Sequence, residues 1–472
     1  MVEALLAYRA ESPLRLHIPG HKGGRGTSFL REIIRPSLDL TEVPGLDDLG
    51  SPAGVIAQAQ DLAADFFGSD RAFFLVNGCT AGIQALCLAT VRPGEEVIMP
   101  RNVHRAVLAG VILAGAIPVF LPVREAPGWP FVLPPNADEV AAALNSHPQA
   151  VAVWMVHPDY HGVTPALAEI GAMVHQRGMI LLVDEAHGSH FGLHPDLPPS
   201  ALSLGADACV KGMHKTGGAL TQAAILCLQG TRVESGRVAR NLALLQTSSP
   251  SYLLLASLDA ARSWLATEGT VRAAELVGMV REVRRKIAGL GGIRCLGAGD
   301  LPGEVGRLDE SRLCLDVGGL GMTGVEAARR LRRVHGVQVE YASFRHLIGV
   351  FSPSDTRREG SRFLKALRGL VAGVRNSKEG VVDAERLPSW PGLPPARLSP
   401  QAASLTPSRL VPEGEGVGEI AAVAVVSYPP GIPIFWPGEE ITMGALSYLR
   451  QVRAVGSGLQ GIRKPGWLEV CA

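Results

Sequence analysis

From residue 55 onward, apolar positions recur with a period that switches between that of a helix and that of a buried strand. The pattern predicts a helix from Val55 to Phe67, a strand from Ala72 to Val76, and a second helix ending at Thr90. A short strand follows at Glu96 to Met99, and a buried strand runs from Gln149 to Val156. Helix 164–177 returns the chain to an apolar run, Met179 to Val183, that stops on Asp184. A shorter run, Ala206 to Val210, leads to His214 and Lys215, and Ala223 to Leu228 reads as another strand. Strands buried on both faces with helices between them imply a doubly wound, mostly parallel α/β sheet.

The later chain changes character. A long helical passage, Tyr252 to about Arg285, precedes a smaller α/β unit. Its pieces are Arg312 to Val317, helix 323–335, Val337 to Glu340, Ile348 to Phe351 and helix 356–374. A proline-rich stretch, 381–415, reads as a linker, and a tail domain follows with a strand from Ile420 to Val426. The expected organisation is an irregular arm over 1–50, a large domain over 51–260, a small domain over 261–380, that linker, and a tail over 416–472.

Composition narrows the function class. A chain of 472 residues affords two or three domains, and a net charge of +1 argues against nucleic-acid or membrane-surface binding by bulk electrostatics. Seven cysteines, without a CxxC, suit buried thiols in a reducing cytoplasm. No signal peptide is expected in MVEALLAYRAES, which lacks a basic start and a long apolar segment. Ala106 to Val123 is uncharged, yet Gly110, Gly115, Pro118 and Pro122 cut it into a buried helix and a strand rather than a membrane span.

Candidate chemistry gathers where strands end. An acid closing one parallel strand and a lysine after the next can face a common crevice at the carboxyl edge. Asp184 and Lys215 would there supply what pyridoxal 5'-phosphate needs, an anion for its ring nitrogen and an amine for a Schiff base. Taken alone, the acid reads more readily as a helix cap and the lysine as a solvated loop residue. Asn77-Gly78-Cys79-Thr80-Ala81-Gly82, between a strand and a helix, has the form of a phosphate cradle. His104 follows a strand and suits either a ring stacked on a cofactor or a helix start. His187, His190 and His194 are broken by Gly188, Gly192 and Pro195, so no metal is expected there. In HIPGHKGG, Pro19 and Gly20 forbid a helical histidine pair, leaving a solvent-side arm or an arm folded over a pocket. Asp47 and Asp48, in PGLDDLGSP, are turn acids that could also face a cationic substrate.

Seven segments together, HIPGHKGG, LDDLGSP, PRNVHRA, VDEAHGSH, HKTGGALTQ, TSSPSYLLLASLD and YPPGIPIFWPGE, resemble the ornithine/lysine/arginine decarboxylase family of fold type I pyridoxal phosphate enzymes. The match follows family order across nearly all of the chain, in the short form without an amino-terminal wing. It implies that Lys215 is the Schiff-base lysine, that Asp184 pairs with the ring nitrogen, and that His104 stacks on the ring. Ala186 would pack on the opposite face and His187 near its edge, with Thr80, Ala81 and His214 on the phosphate. Thr247 would be donated to the phosphate of a partner subunit, making a homodimer the smallest active unit.

Two departures stand out: Gly212 and Cys79 replace residues that usually carry hydroxyl groups, so one phosphate contact is expected to be lost. The reaction implied is α-decarboxylation of a basic L-amino acid, with arginine first, giving agmatine for polyamine synthesis, and lysine or ornithine as alternatives. The carboxylate for the substrate's cationic end is sought among Glu439, Asp47, Asp48 and Glu340, with Glu439 favoured for its place in the tail motif. Transamination, aldol cleavage and a scaffold without cofactor are the rival readings.

Overall fold

The computed structural model describes residues 8–26, 30–129, 131–375, 390–427, 431–454, 456 and 458–472. Its centre is a seven-stranded sheet in the order Arg71–Leu75, Ala224–Leu228, Ala208–Lys211, Ile180–Asp184, Ala152–Val156, Glu96–Met99, Ile117–Phe120. All neighbouring strands are parallel except Ala224–Leu228, which runs against both of its partners. Leu181, Leu182, Val183, Cys209, Val210, Ile225 and Leu226 are fully buried, because helices cover both faces. The expected α/β class and mostly parallel sheet are therefore present. The Ala106–Val123 run divides as the glycines and prolines require, into helix Arg105–Ala114 and strand Ile117–Phe120. Among the described residues, no helix is long and apolar enough to cross a membrane.

The small domain is a four-stranded antiparallel sheet, Tyr341–Ser343, His346–Val350, Arg312–Asp316 and Arg294–Cys295, backed by helices Gly324–His335 and Arg357–Arg375. Two expectations are corrected here. The arm is not wholly irregular: Leu14–Leu16 pairs in parallel with Val337–Val339, and Leu14 and Leu16 sit in the small-domain core. The boundary at 260 falls inside one unbroken helix, Tyr252–Ile287, whose first half (Leu255, Leu258, Trp264) packs in the large-domain core. Its second half (Leu276, Met279, Val283) packs in the small-domain core, so a single rod is shared by both.

The tail also begins earlier than composition suggests. Residues 381–389 of the expected linker lie outside the described residues. The remainder holds helix Pro400–Leu405, with Ser399 as its cap, and strand Ser408–Pro412, which pairs with Trp467–Cys471. Prolines cluster there because they start a helix and close an edge strand, positions that need no ladder N–H. The strand expected from Ile420 to Val426 is only Val425–Ser427, since Ile420 and Ala421 make single bridges to Glu440 and Val470. The apolar run changes partner midway and cannot form one ladder.

Candidate active site

Parallel strands send all their carboxyl ends to one edge, and that edge opens here into a cavity of 550 Å³. Asp184 arrives at the end of Ile180–Asp184, and Lys215 on a single wide turn, Met213–Gly217, after Ala208–Lys211. His104 follows Glu96–Met99, and Gly78 opens the helix after Arg71–Leu75. Asp184, Lys215, His104, Ala186, His187, His214, Cys79 and Thr80 all line the same cavity. Lys215 bears electrostatically on Asp184, His104, His187, His214 and Cys79 alike.

The titratable groups around Lys215 are held in defined states. Burial raises the Asp184 carboxyl, while Lys215 and the Ala186 N–H, which donates to Asp184 Oδ1 at 3.0 Å, oppose that shift. Burial, with Lys215's charge, lowers His104 to about 3, so its ring is neutral. Its Nδ1 accepts the Ala106 N–H at 3.1 Å, which places the ring proton on Nε2. His104 is thus both a helix start and a cavity wall. His187 is held well below its usual value, first by burial and then by Arg312, whose guanidinium donates to His187 Nδ1. Burial lowers His214 to about 4, and its Nδ1–H donates to the Ala223 carbonyl at 3.0 Å.

The cradle has the features of an anion site. Helix Gly78–Thr90 carries no side-chain cap at Asn77, so the N–H groups of its first turn are left for another acceptor. Those groups belong to Gly78, Cys79 and Thr80. Ala81 is buried and absent from the wall, its N–H being the first in the helical ladder, which corrects its expected role. The Cys79 thiol is pushed up to about 12 by burial and stays protonated. Gly212 has a steric reason: a Cβ there would lie 2.5 Å from the Ala186 carbonyl oxygen, so Ser or Thr does not fit this turn. Thr221 and Ser427 bring hydroxyl groups to the same cavity.

Of the four substrate carboxylates, only Glu340 lines the cavity. Its Oε2 accepts the Ile18 N–H at 2.9 Å and its Oε1 the Tyr160 hydroxyl at 2.8 Å. Glu439, the favoured candidate, faces elsewhere. It is 3% exposed and accepts from Arg101 Nη2 at 2.8 Å and the Trp436 N–H at 2.7 Å, clasping the tail to the large domain. Asp47 receives the N–H groups of Gly54 at 2.7 Å and Ile56 at 3.0 Å, at the start of helix Val55–Phe67. Those bonds to backbone N–H groups hold its carboxyl low, at about 2, against burial. Asp48 and Thr247 lie together in a separate depression of 230 Å³, where the Thr247 N–H reaches Asn77 Oδ1 at 3.5 Å. Tyr428 to Pro430 of the tail motif lie outside the described residues.

The histidine cluster also disperses. His190 is fully buried between Thr216, at 3.0 Å, and Asp309, at 3.4 Å, fixing the residue after Lys215 to the small domain. His194 sits beside Asp196 instead. Sequence reasoning missed Tyr160, Tyr341, His346, Trp390 and Tyr448, which line the same cavity with Glu340. Tyr160 carried a signal, since it follows strand Ala152–Val156 at the same sheet edge. The other four come from the small domain and the tail, with nothing local to mark them.

Comparison with known proteins agrees with this geometry. Residues 1–298 match the Orn/Lys/Arg decarboxylase major domain and residues 401–465 the C-terminal domain of the same family. The chain is 36% identical over 462 residues to the arginine decarboxylase of Bacillus subtilis, covering 97% of this chain and 94% of that one. The Francisella novicida lysine decarboxylase LdcF shares the fold with a TM-score of 0.79 at 18% identity, covering 96% of this chain and 78% of that one. The ureidoglycine-glyoxylate aminotransferase of Bacillus subtilis shares it with a TM-score of 0.59 at 15% identity, over 76% of this chain and 92% of that one.

Proposed function

We propose, from the premise that this chain belongs to the Orn/Lys/Arg decarboxylase family, that it removes the α-carboxylate of arginine to leave agmatine. The observation that carries the reading is one cavity lined by Lys215 and Asp184 and also by Glu340 with a group of aromatic rings. The donor set fits pyridoxal 5'-phosphate: a primary amine, a buried carboxylate, and an uncapped helix start for a phosphate. When bound, that cofactor supplies an electron-accepting ring that stabilises the charge left at Cα as carbon dioxide departs.

This chain's own residues do the rest. Lys215 supplies the amine that holds the cofactor's aldehyde. Asp184, fixed by the Ala186 N–H, would accept the hydrogen bond of the ring nitrogen and hold a proton there. The first-turn N–H groups of Gly78, Cys79 and Thr80, with the Thr80 hydroxyl, would hold its phosphate. His104 is neutral, so it walls the cavity without adding a second cation beside Lys215. Glu340 offers negative charge to the substrate's cationic end, beside Tyr160 and Tyr341, whose rings meet edge to face with centroids 5.7 Å apart. Thr247 is assigned to the phosphate site of a second copy in a homodimer, and agmatine would feed polyamine synthesis in the cytoplasm.

Incubating the protein with arginine, lysine and ornithine separately, with carbon dioxide and each amine quantified, tests the reading. Agmatine with stoichiometric carbon dioxide is expected. Cadaverine or putrescine as the main product would move the substrate assignment, and a keto acid without carbon dioxide would defeat the reaction.

A further inference from the structure

HIPGHKGG lies far from the Asp184/Lys215 region in sequence, yet it touches the lysine directly. The Gly20 N–H donates to the His214 carbonyl at 2.7 Å, one residue before Lys215. A Cβ at Gly20 would lie 2.5 Å from the Lys215 carbonyl oxygen and 2.8 Å from Thr216 Cα. Both are backbone atoms, so no side-chain rearrangement relieves the contact. Gly212 makes a matching close approach on the other side, against the Ala186 carbonyl. The turn carrying Lys215 is therefore gripped between two glycine contacts, one to its own domain and one to the arm.

The arm is anchored at its other end to the small domain. Leu14–Leu16 forms a strand with Val337–Val339, and the Ile18 N–H donates to Glu340. Ser352 Oγ donates to the Gly20 carbonyl at 2.7 Å. Lys22, 2% exposed, donates to the carbonyls of His17 at 2.9 Å and Val350 at 2.8 Å, with Asp355 3.9 Å away. A charge buried so thoroughly needs several acceptors to remain folded, and here they define the path of the strap.

We infer that residues 17–22 form a strap that fixes the backbone of Lys215 to the small domain, with Gly20 as a positioning residue for that lysine. The strap also joins two residues of the cavity lining: Ile18 holds Glu340 while Gly20, two residues on, holds the Lys215 turn. The inference rests on the reading of Lys215 as the lysine that carries the cofactor.

The test uses the cofactor-loaded protein and three variants. Gly20→Ala displaces the Lys215 turn, and Ser352→Ala frees the Gly20 carbonyl. Gly278→Ala, in helix Tyr252–Ile287 where an added methyl meets open space, is the control. Each is read by the pH titration of the visible absorbance of the cofactor–Lys215 linkage, by borohydride trapping followed by mass mapping, and by kcat and KM. Gly20→Ala is expected to shift the titration midpoint, at least halve the trapped fraction at Lys215, and lower kcat tenfold or more. Ser352→Ala should move the same readings in the same direction by less, and Gly278→Ala should leave them at wild-type values. A folded Gly20→Ala protein with wild-type titration, trapping and kcat overturns the strap. If Gly20→Ala does not fold, wild-type readings in Ser352→Ala overturn it instead. Wild-type protein that traps nothing at Lys215 defeats the assignment of the cofactor lysine, an outcome distinct from loss of the strap alone.

Discussion

The two ends of the cavity are built on different plans. The Lys215 end comes from the carboxyl ends of strands in one sheet, so its residues follow a repeated local rule of apolar run, then functional side chain. The far end is assembled from the loop after Ala152–Val156, the small domain and the tail, which meet only in three dimensions. Chemistry common to many substrates can sit on a rigid repeated scaffold, whereas selection of one substrate is left to surfaces that separate domains bring together. Glu340 and Glu439 make the contrast concrete. Both are acids, yet one lines the cavity and the other is locked to Arg101.

The comparison breaks most sharply at Lys215. Lys215→Ala should lower carbon dioxide release by on the order of 10³-fold or more and abolish the visible absorbance, because no other amine lines that end of the cavity among the described residues. Steady-state rates and a spectrum of the purified variant check this.

The two glutamates come next. Glu439→Gln leaves Arg101 buried with its charge unbalanced, so it should cost about 3–5 kcal/mol of stability, read as a lower denaturation midpoint. Its KM for arginine should stay near wild type in the folded fraction. Glu340→Gln should do the reverse, raising KM for arginine about 10- to 100-fold, the worth of a hydrogen bond to a charged group, with a smaller change in kcat. If Glu439→Gln raises KM and Glu340→Gln does not, the assignment of the far end is wrong.

Gly212→Ser probes the Lys215 end more gently. The hydroxyl common in the family would return there, but its Cβ collides with the Ala186 carbonyl, so stability should fall by about 1–3 kcal/mol without tighter cofactor binding. Thermal denaturation and cofactor titration distinguish this outcome from a regained phosphate contact.

The remaining effect concerns pH. In the protein without cofactor, His104 and His214 titrate at about 3 and about 4, against 6.5 when unfolded. Their unfolded forms bind protons first, so this contribution is fully present above pH 6.5 and is lost as pH falls toward 3. Denaturation midpoints should drop over that interval, and His104→Phe should flatten part of the slope. An unchanged slope would place His104 outside this account.

The same division explains what could be read in advance. Asp184, Lys215, His104 and Thr80 were visible because a strand end fixes where the next side chain points. Glu439 was chosen over Glu340 because a turn motif marks a position and says nothing about Arg101, 338 residues away in the chain. The turn around Asp47 marks an acid without showing that its carboxylate accepts the Gly54 and Ile56 N–H groups at a helix start.

By itself the sequence determined the period of each element, the parallel sheet, and the acid and lysine at its edge, since burial and backbone sterics act over a few residues. Only the tertiary structure decided which carboxylate faces the cavity, that one helix serves two domains, and that Gly20 bears on Lys215. Those outcomes depend on contacts between segments far apart in the chain, where a single buried ion pair or a backbone clash overrides any local preference.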